Sequence, residues 1–304
     1  MRMLSRSAIL LGAITILGSI SSAAQATLNV FACEPEWAAL AKELGGDRLE
    51  IYSATTAQQD PHRIQARPSL IAKARKADLL ICTGAELEIG WLPLLLRRSG
   101  NARIQDGQHG HFLAYEHVDM IEVPEKLDRS LGDLHASGNP HIHTDPHNIL
   151  HVAEHLSQRL QMLDSEHTAS YQQHYREFEK KWQQAMREWN QRAASVSGSK
   201  IVVHHDFWSY LITWLGLDKL ATLEPVPGVT PSTSHLAQVK QLLKQQQAVM
   251  IINTSYMSDR PVHWLSEKTG LPVVTLPASV NYHDGETLYQ WFDSLVDYIR
   301  EPLQ

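Results

Sequence analysis

The chain of 304 residues is long enough for about two domains of ordinary size, and a hydrophobic content of 43% allows each domain to bury a core. Its 27 basic and 33 acidic residues give a formal net charge of −6, which argues against a nucleic-acid partner or an anionic membrane surface. The chain has 17 histidines and only two cysteines, so imidazole is its unusual chemical feature.

Residues 1–26 have the pattern of a secretory signal peptide. Arg2 and Arg6 supply positive charge before a short apolar run, Ala8 to Ile20, and an Ala-Gln-Ala sequence at 24–26 provides a cleavage site. The apolar run is short for a membrane-spanning helix. We therefore expect residues 1–26 to be removed and the mature protein to be located in the periplasm.

Residues 27–145 alternate between strand and helix patterns, which is typical of parallel βαβ units and predicts an N-terminal α/β lobe. The predicted strands are Leu28–Ala32, Leu49–Ser53 and Asp78–Cys82, and the predicted helices are Glu36–Leu44 and Leu70–Lys76.

The two cysteines follow or end predicted strands of this lobe. Cys33 comes directly after the first strand, and Cys82 ends the third. A cysteine pair in an oxidising compartment is more often bridged than free, and neighbouring parallel strands would bring the two sulfurs together. We predict a Cys33–Cys82 disulfide, with two buried free thiols as the alternative.

The strand and helix pattern breaks over residues 105–140, which are rich in Gly, His, Asp and Pro and predict a long loop. This segment contains His109, His111, His117 and His135. A histidine-rich loop could gather metal weakly and flexibly, or it could be a solvated loop that happens to contain histidine. The sequence leaves both interpretations open.

Residues 146–194 predict a long linking helical segment. No Pro or Gly follows Pro146 in this range, and apolar residues recur at mostly helical spacing. The pattern fits one very long helix, or two helices separated near Leu163 to His167. At about 1.5 Å per residue such a segment would cross the molecule and could connect two lobes rigidly.

Residues 195–304 repeat the α/β pattern and predict a C-terminal lobe. The expected fold is therefore two α/β lobes, each with a small parallel-rich sheet flanked by helices, joined by the long helical segment. Ligands of such sheets bind beyond the carboxyl ends of the strands, which here means the cleft between the lobes. The predicted strands are Lys200–Val203, Ala248–Asn253 and Val273–Leu276, and the predicted helices are Phe207–Leu215, His235–Gln245, Val262–Thr269 and Glu286–Ile299.

Several histidines fall where the chain is expected to reach that cleft. His62 follows the second strand, His141 and His143 precede the linking segment, and His204 and His205 follow the strand that begins the second lobe. Three imidazoles from separate segments and one carboxylate would make a tetrahedral site that suits Zn²⁺, whereas Mn²⁺ and Mg²⁺ prefer more oxygen ligands. Each of these histidines could otherwise be an ordinary surface or core residue.

Four segments carry a resemblance to a known family: residues 60–62 (Asp-Pro-His), 139–141 (Asn-Pro-His), 145–146 (Asp-Pro) and 205–210 (His-Asp-Phe-Trp-Ser-Tyr). They resemble the cluster A-I solute-binding proteins, the periplasmic zinc- and manganese-binding components of ABC importers. The resemblance covers essentially the whole mature chain and is greatest to the zinc-binding AztC-like branch. It implies two α/β lobes joined by a rigid backbone helix, with the metal site in the cleft between them.

Carried over position by position, the resemblance implies that His62, His141 and His205 are metal ligands. His143 then occupies a position that is usually aromatic, and His204 is only the neighbour of the third ligand. Manganese-binding relatives generally carry glutamate at the position of His205, so the histidine favours zinc.

The fourth ligand departs from the family pattern. Most relatives carry an aspartate directly after the strand that corresponds to Val273–Leu276, whereas this chain continues with Pro-Ala-Ser at 277–279. We expect Asp284 to be the fourth ligand, with His283, Glu224 or a water molecule as alternatives. Asp284 could instead cap the last helix, and Glu224 could be structural.

The resemblance implies a high-affinity periplasmic receptor, not an enzyme, that delivers Zn²⁺ as cargo to an ABC import permease. We expect a monomer with neither catalytic nor cofactor-binding residues, and a periplasmic metallochaperone as a further partner. A periplasmic zinc buffer or chaperone is the alternative. A zinc-dependent hydrolase is less well supported, because the chain contains neither His-Glu-x-x-His nor Gly-x-Ser-x-Gly.

Overall fold

A computed structural model of the chain describes residues 27–125 and 135–303; the expected signal peptide, residues 1–26, lies outside this described part. In chain order the strands and helices are β1 Leu28–Ala32, α1 Pro35–Gly45, β2 Leu49–Ser53, α2 Pro68–Lys76, β3 Leu79–Cys82, α3 Leu92–Ser99, β4 His111–Leu113, α4 Pro146–Leu163, α5 Thr168–Ala193, β5 Lys200–Val203, α6 Ser209–Leu215, β6 Asp218–Thr222, α7 Thr233–Leu243, β7 Met250–Thr254, α8 Arg260–Thr269, β8 Val273–Leu276 and α9 Leu288–Arg300.

The strands form two four-stranded sheets with the same order of strands. The first sheet has the order β2-β1-β3-β4 and the second the order β6-β5-β7-β8, and every pairing is parallel. Strands β3 and β7 are buried throughout because helices cover both faces of each sheet. The predicted α/β fold with two parallel sheets is confirmed.

The edge strands β4 and β6 and the helix α3 were not predicted from the sequence. Strand β4 has only three residues and lies inside the segment that was expected to be a loop. Strand β6 is partly exposed along its length because it lies at the edge of its sheet. The three residues of β4 carry little periodicity, and the sequence of β6, Asp-Lys-Leu-Ala-Thr, has no apolar run, so both become strands by pairing with a neighbouring strand.

The linking segment consists of two helices and not of one very long helix, the other arrangement that its sequence allows. Helix α4 ends at Leu163, a short turn of 3-10 helix follows at Ser165–His167, and α5 then continues for 26 residues. That length corresponds to about 39 Å. Helix α5 packs against α1 of the first lobe and α9 of the second, so it connects the lobes along its whole length.

One continuous apolar core runs through both lobes. It includes Trp37 on α1, Trp182 on α5, Trp208 before α6 and Trp291 on α9, all fully buried. The Trp182 ring lies 5.4 Å from that of Phe292, which ties α5 to α9. None of the helices in residues 27–125 and 135–303 is both long and apolar enough to cross a membrane.

The predicted disulfide between Cys33 and Cys82 is confirmed. Strands β1 and β3 are neighbours, and the two cysteines lie at their carboxyl ends with a Cα–Cα distance of 4.8 Å. The bond closes a loop with a sequence separation of 49 residues. It therefore fixes β1 to β3 beside the cleft.

Candidate metal centre

The structure brings together the three histidines that the resemblance assigned as ligands. His62 lies in a short turn after β2, His141 precedes α4, and His205 follows β5. The ring centroid of His141 is 5.8 Å from that of His62 and 5.8 Å from that of His205. His141 therefore lies between one histidine from each lobe.

Carboxylates orient the two outer histidines. His62 donates from Nδ1 to Oδ1 of Asp60 over 2.8 Å, and His205 donates from Nδ1 to Oε2 of Glu224 over 2.7 Å. A ring that donates from Nδ1 presents an unprotonated Nε2, which is the form that binds a metal. Glu224 also accepts the N–H of Gly228, so it orients His205 from a fixed turn.

His141 is the most deeply buried of the three, at 2% exposure. Burial lowers its pKa well below the usual value for histidine, and the neighbouring His62 and His205 lower the pKa further. The imidazole is therefore neutral and able to bind a metal. Asn139 accepts the backbone N–H of His141, and the Phe207 ring packs 4.1 Å from the imidazole centroid, so the ring is held in place.

A fourth imidazole, His135, lies against this group. Its Nε2 is 3.2 Å from Nε2 of His62, and the two ring centroids are 5.2 Å apart. A cavity of about 200 Å³ is lined by His135 together with His141 and His205. In the sequence, His135 is one of four loop histidines that either gather metal weakly or are solvated, and no strand or helix pattern links it to the cleft.

Two of the other three histidines of the 105–140 segment, His111 and His117, are engaged in local contacts. His111 belongs to β4 and bonds through Nδ1 to the carbonyl of Ile104. The His117 ring stacks between those of Phe112 and His155, at 4.7 Å and 4.3 Å, and burial lowers its pKa to about 4. His109 is exposed. Neither interpretation of the segment holds for all four histidines, since His111 and His117 are packed and His135 joins the cleft.

The structure does not bring Asp284 or His283, two candidates for the fourth ligand, to the histidines. Both are exposed in a single turn of 3-10 helix, Tyr282–Asp284, that packs on α1. The chain is buried at 278–280, directly after β8, and has reached the surface by residue 281. The alternative N-cap role of Asp284 is wrong, because Thr287 caps α9.

His143 and His204, the two neighbours of the assigned ligands, are engaged elsewhere. His143 donates from Nε2 to the carbonyl of Ala278, and its Nδ1 lies 3.4 Å from Oε1 of Glu36. The Nδ1 of His204 bonds to Oδ1 of Asn253 over 2.8 Å. Both side chains therefore have polar partners within the protein, in the packing around the cleft.

The imidazole rings are near one another, but their nitrogen atoms do not converge on one position where an ion could bind. In residues 27–125 and 135–303, one group of three potential ligands has all its ligand atoms within 4.8 Å, namely Cys33, Cys82 and Glu88. Its two sulfurs are bonded to each other, so that group offers no metal site. In the part of the chain that the structure describes, no three histidines have ring nitrogens that all lie within 4.8 Å of one another, so binding of one ion by three of them requires a movement of side chains or lobes.

The fold and the cleft define a class of protein: two-lobed α/β receptors that bind a small ligand between lobes joined by a long helix. A family model described as zinc-uptake complex component A, periplasmic (ZnuA), matches residues 30–301. The chain belongs to this family, whose members are solute-binding receptors of ABC transporters that act outside the cytoplasm, and not enzymes. This confirms the resemblance found in the sequence at the level of the family.

Curated relatives extend over nearly the whole chain. The manganese ABC transporter substrate-binding lipoprotein PsaA of Streptococcus mitis is 22% identical over 295 residues, covering 94% of this chain and 92% of the relative. The metal ABC transporter substrate-binding lipoprotein SsaB of Streptococcus sanguinis is 21% identical, covering 93% and 91%.

Solved structures show the same fold. A crystal structure of ZnuA has a TM-score of 0.74 at 19% identity, covering 91% of this chain and 100% of that one. A manganese-bound S38A mutant of a periplasmic metal-binding protein from Candidatus Liberibacter asiaticus has a TM-score of 0.73 at 19% identity, covering 91% and 100%. At these identities the comparison shows the fold alone.

Proposed function

We propose that this protein is a periplasmic high-affinity receptor for Zn²⁺ that delivers the ion to the membrane permease of an ABC importer. The observation that supports this proposal is the meeting of His62, His141 and His205 between the lobes, two of them with Nδ1 held by a carboxylate. In this proposal the ion is cargo, and all three residues are ligands.

The donor atoms support zinc rather than manganese. Zn²⁺ readily takes imidazole ligands in a tetrahedral site, whereas Mn²⁺ prefers carboxylate and carbonyl oxygens. Curated relatives such as PsaA are named for manganese, so the proposed preference depends on the ligands of this chain. Protonation of imidazole competes with metal, so affinity for the ion should fall as the pH is lowered.

Calorimetric titration of the metal-stripped protein in competition with a chelator tests the proposal. We expect one Zn²⁺ site with a dissociation constant on the order of nanomolar and much weaker binding of Mn²⁺. His62→Ala, His141→Ala and His205→Ala should each weaken Zn²⁺ binding strongly, whereas the exposed His109→Ala should not. Equal affinity for the two metals, or unchanged Zn²⁺ affinity in two of the three variants, would contradict the proposal.

The same proposal assigns roles to the parts of the chain. Residues 27–145 and 195–304 form the lobes, and residues 146–194 hold them at a nearly fixed distance, so metal binding should move the lobes only slightly. We expect a monomer that meets the permease and receives zinc from a metallochaperone. A strain that lacks the protein should grow poorly in zinc-depleted medium; normal growth there would favour a zinc buffer that never meets a permease.

A further inference from the structure

The contact between His62 and His135 has the geometry of two ligands on one ion. His62 already donates from Nδ1 to Asp60, so its Nε2 carries a lone pair that faces Nε2 of His135 at 3.2 Å. Two nitrogen ligands at about 2.05 Å from a tetrahedral Zn²⁺ are separated by about 3.3 Å. The contact is a hydrogen bond, and its nitrogen–nitrogen separation already matches the one expected for two ligands of one zinc ion.

We propose that His135 is the fourth protein ligand, which gives a site made of four imidazoles, namely His62, His135, His141 and His205. This inference rests on the proposed function and refines it. The chain after β8, where relatives carry the aspartate, offers no acid, since positions 277–279 are Pro-Ala-Ser. Ala278 there uses its carbonyl to accept from His143.

The backbone that carries His135 is anchored to both lobes. The carbonyl of His135 accepts the N–H of Gly138 over 3.1 Å, which closes a tight turn. Ser137 donates from its backbone N–H and its hydroxyl to the carboxylate of Glu86 in the first lobe, both over 3.2 Å. The Asn139 side chain donates over 2.7 Å to the carbonyl of Asp206 in the second lobe.

Gly138 shows that this turn is closely fitted to its surroundings. Its φ angle is +105°, and a Cβ atom there would come within 2.6 Å of the carbonyl oxygen of Ile121. A larger residue would therefore displace the turn that positions His135. The ligand is thus placed by a defined turn that contacts both sides of the cleft.

A site of four neutral imidazoles carries no carboxylate charge. The bound ion would keep its full double charge, and every donor would be nitrogen, which disfavours hard cations such as Mn²⁺ and Mg²⁺. His135 is then a residue that determines specificity. Replacing it with a carboxylate should shift the site toward manganese.

The test compares metal-stripped variants by chelator competition and by X-ray absorption at the zinc edge. His135→Ala should weaken Zn²⁺ binding by at least about 100-fold, because loss of outer-shell partners alone costs 10- to 100-fold. Its zinc should show three imidazoles and one oxygen, against four imidazoles in the native protein. His135→Asp should recover part of the zinc affinity and raise the affinity for Mn²⁺ relative to His135→Ala. His109→Ala, in the same segment but exposed, is the matched control.

The outcomes separate this inference from the proposed function. Native affinity and an unchanged absorption spectrum in His135→Ala would overturn the role of His135, provided that His62→Ala still weakens binding. Weak zinc binding by the native protein, or unchanged binding in His62→Ala, would instead overturn the receptor function itself.

Discussion

The Nδ1 of His205 lies 2.7 Å from Oε2 of Glu224, and the same oxygen accepts the N–H of Gly228 over 2.8 Å. The carboxylate thus connects a proposed ligand to a fixed turn of the second lobe. Glu224 is one alternative for the fourth ligand in the sequence, and in the structure its carboxylate bonds to His205, the proposed third ligand. A residue in this position tunes affinity without touching the ion.

Glu224→Ala should weaken Zn²⁺ binding by roughly 10- to 100-fold, because the His205 ring would lose the partner that fixes its tautomer and direction. Glu224→Gln keeps an oxygen acceptor and should lose less. Chelator competition measures both effects, and Glu267→Ala on the exposed face of α8 is the control. An Ala variant that binds zinc like the native protein would exclude the orienting role.

The carboxyl groups of Glu34 and Glu88 are buried together behind the disulfide, at 1% exposure each. Burial raises the pKa of Glu88 to about 7, although the N–H groups of Thr83 and Gly84 donate to it and oppose the rise. Burial and the charge of Glu88 raise the pKa of Glu34 well above its usual value. Near neutral pH the pair therefore keeps a proton that the unfolded chain has released.

This raised pKa predicts that stability falls as the pH rises from about 4.5 through 7, since the folded protein binds more protons there than the unfolded chain. Glu88→Gln cannot ionise and should escape this loss. We expect it to match the native protein near pH 4.5 and to exceed its free energy of unfolding by up to about 3 kcal/mol at pH 8. Urea unfolding of the metal-stripped proteins measures this, with the exposed Glu267→Gln as the control; parallel pH profiles would refute the prediction.

The disulfide closes a loop with a sequence separation of 49 residues, which in the chain-entropy model is worth about 4 kcal/mol. Replacing both Cys33 and Cys82 with serine should lower the free energy of unfolding by roughly that amount. Zinc affinity should change only a few-fold, because the proposed ligands lie on other segments. A reductant should destabilise the native protein and leave the double variant unaffected. Equal free energies of unfolding of the native protein and the double variant without reductant would contradict the prediction.

Trp182 joins the lobes through the shared core. It donates from Nε1 to the carbonyl of Pro146 over 2.8 Å, and its ring contacts Phe292 on α9. Trp182→Ala should lower the free energy of unfolding by about 3–5 kcal/mol. In the native protein, fluorescence and circular dichroism should report one common unfolding transition. The partly buried Trp264 lies beside a smaller cluster of the second lobe, so Trp264→Ala should cost less. Two separate transitions in the native protein would show that the lobes fold independently.

The sequence predicted the interior strands well because runs such as Leu28–Ala32 and Lys200–Val203 are short, apolar and bounded by turns. It failed at β4, which has only three residues, and at β6, whose sequence has no apolar run; both become strands by pairing with a buried neighbour. Helix α3 was missed as well. The break between α4 and α5 was open in the sequence and became definite only in the structure.

For the candidate site too, residues in local sequence motifs could be singled out, whereas residues placed by long-range contacts could not. The proposed ligands His62, His141 and His205 could be singled out because each lies in a short motif that resembles the family pattern, next to a predicted strand or helix. His135 could not be singled out, since the turn that carries it is placed by contacts of Ser137 with Glu86 and of Asn139 with Asp206, whose partners lie 51 and 67 positions apart in the sequence. Asp284 was expected to be a ligand because it is the first acidic residue after β8. In the structure the chain is buried only to residue 280 and reaches the surface at residue 281, before Asp284.

The shared core also limits how the ion can enter and leave. Swinging the lobes apart far enough to expose about 400 Å² of apolar surface would cost roughly 10 kcal/mol, comparable to the whole stability of a domain. Thermal fluctuation will rarely supply that energy. We therefore expect a bound metal ion to enter and leave by a small rearrangement of a few side chains at the rim of the cleft, so its dwell time should respond to substitutions in that rim far more than to changes along the connecting helix.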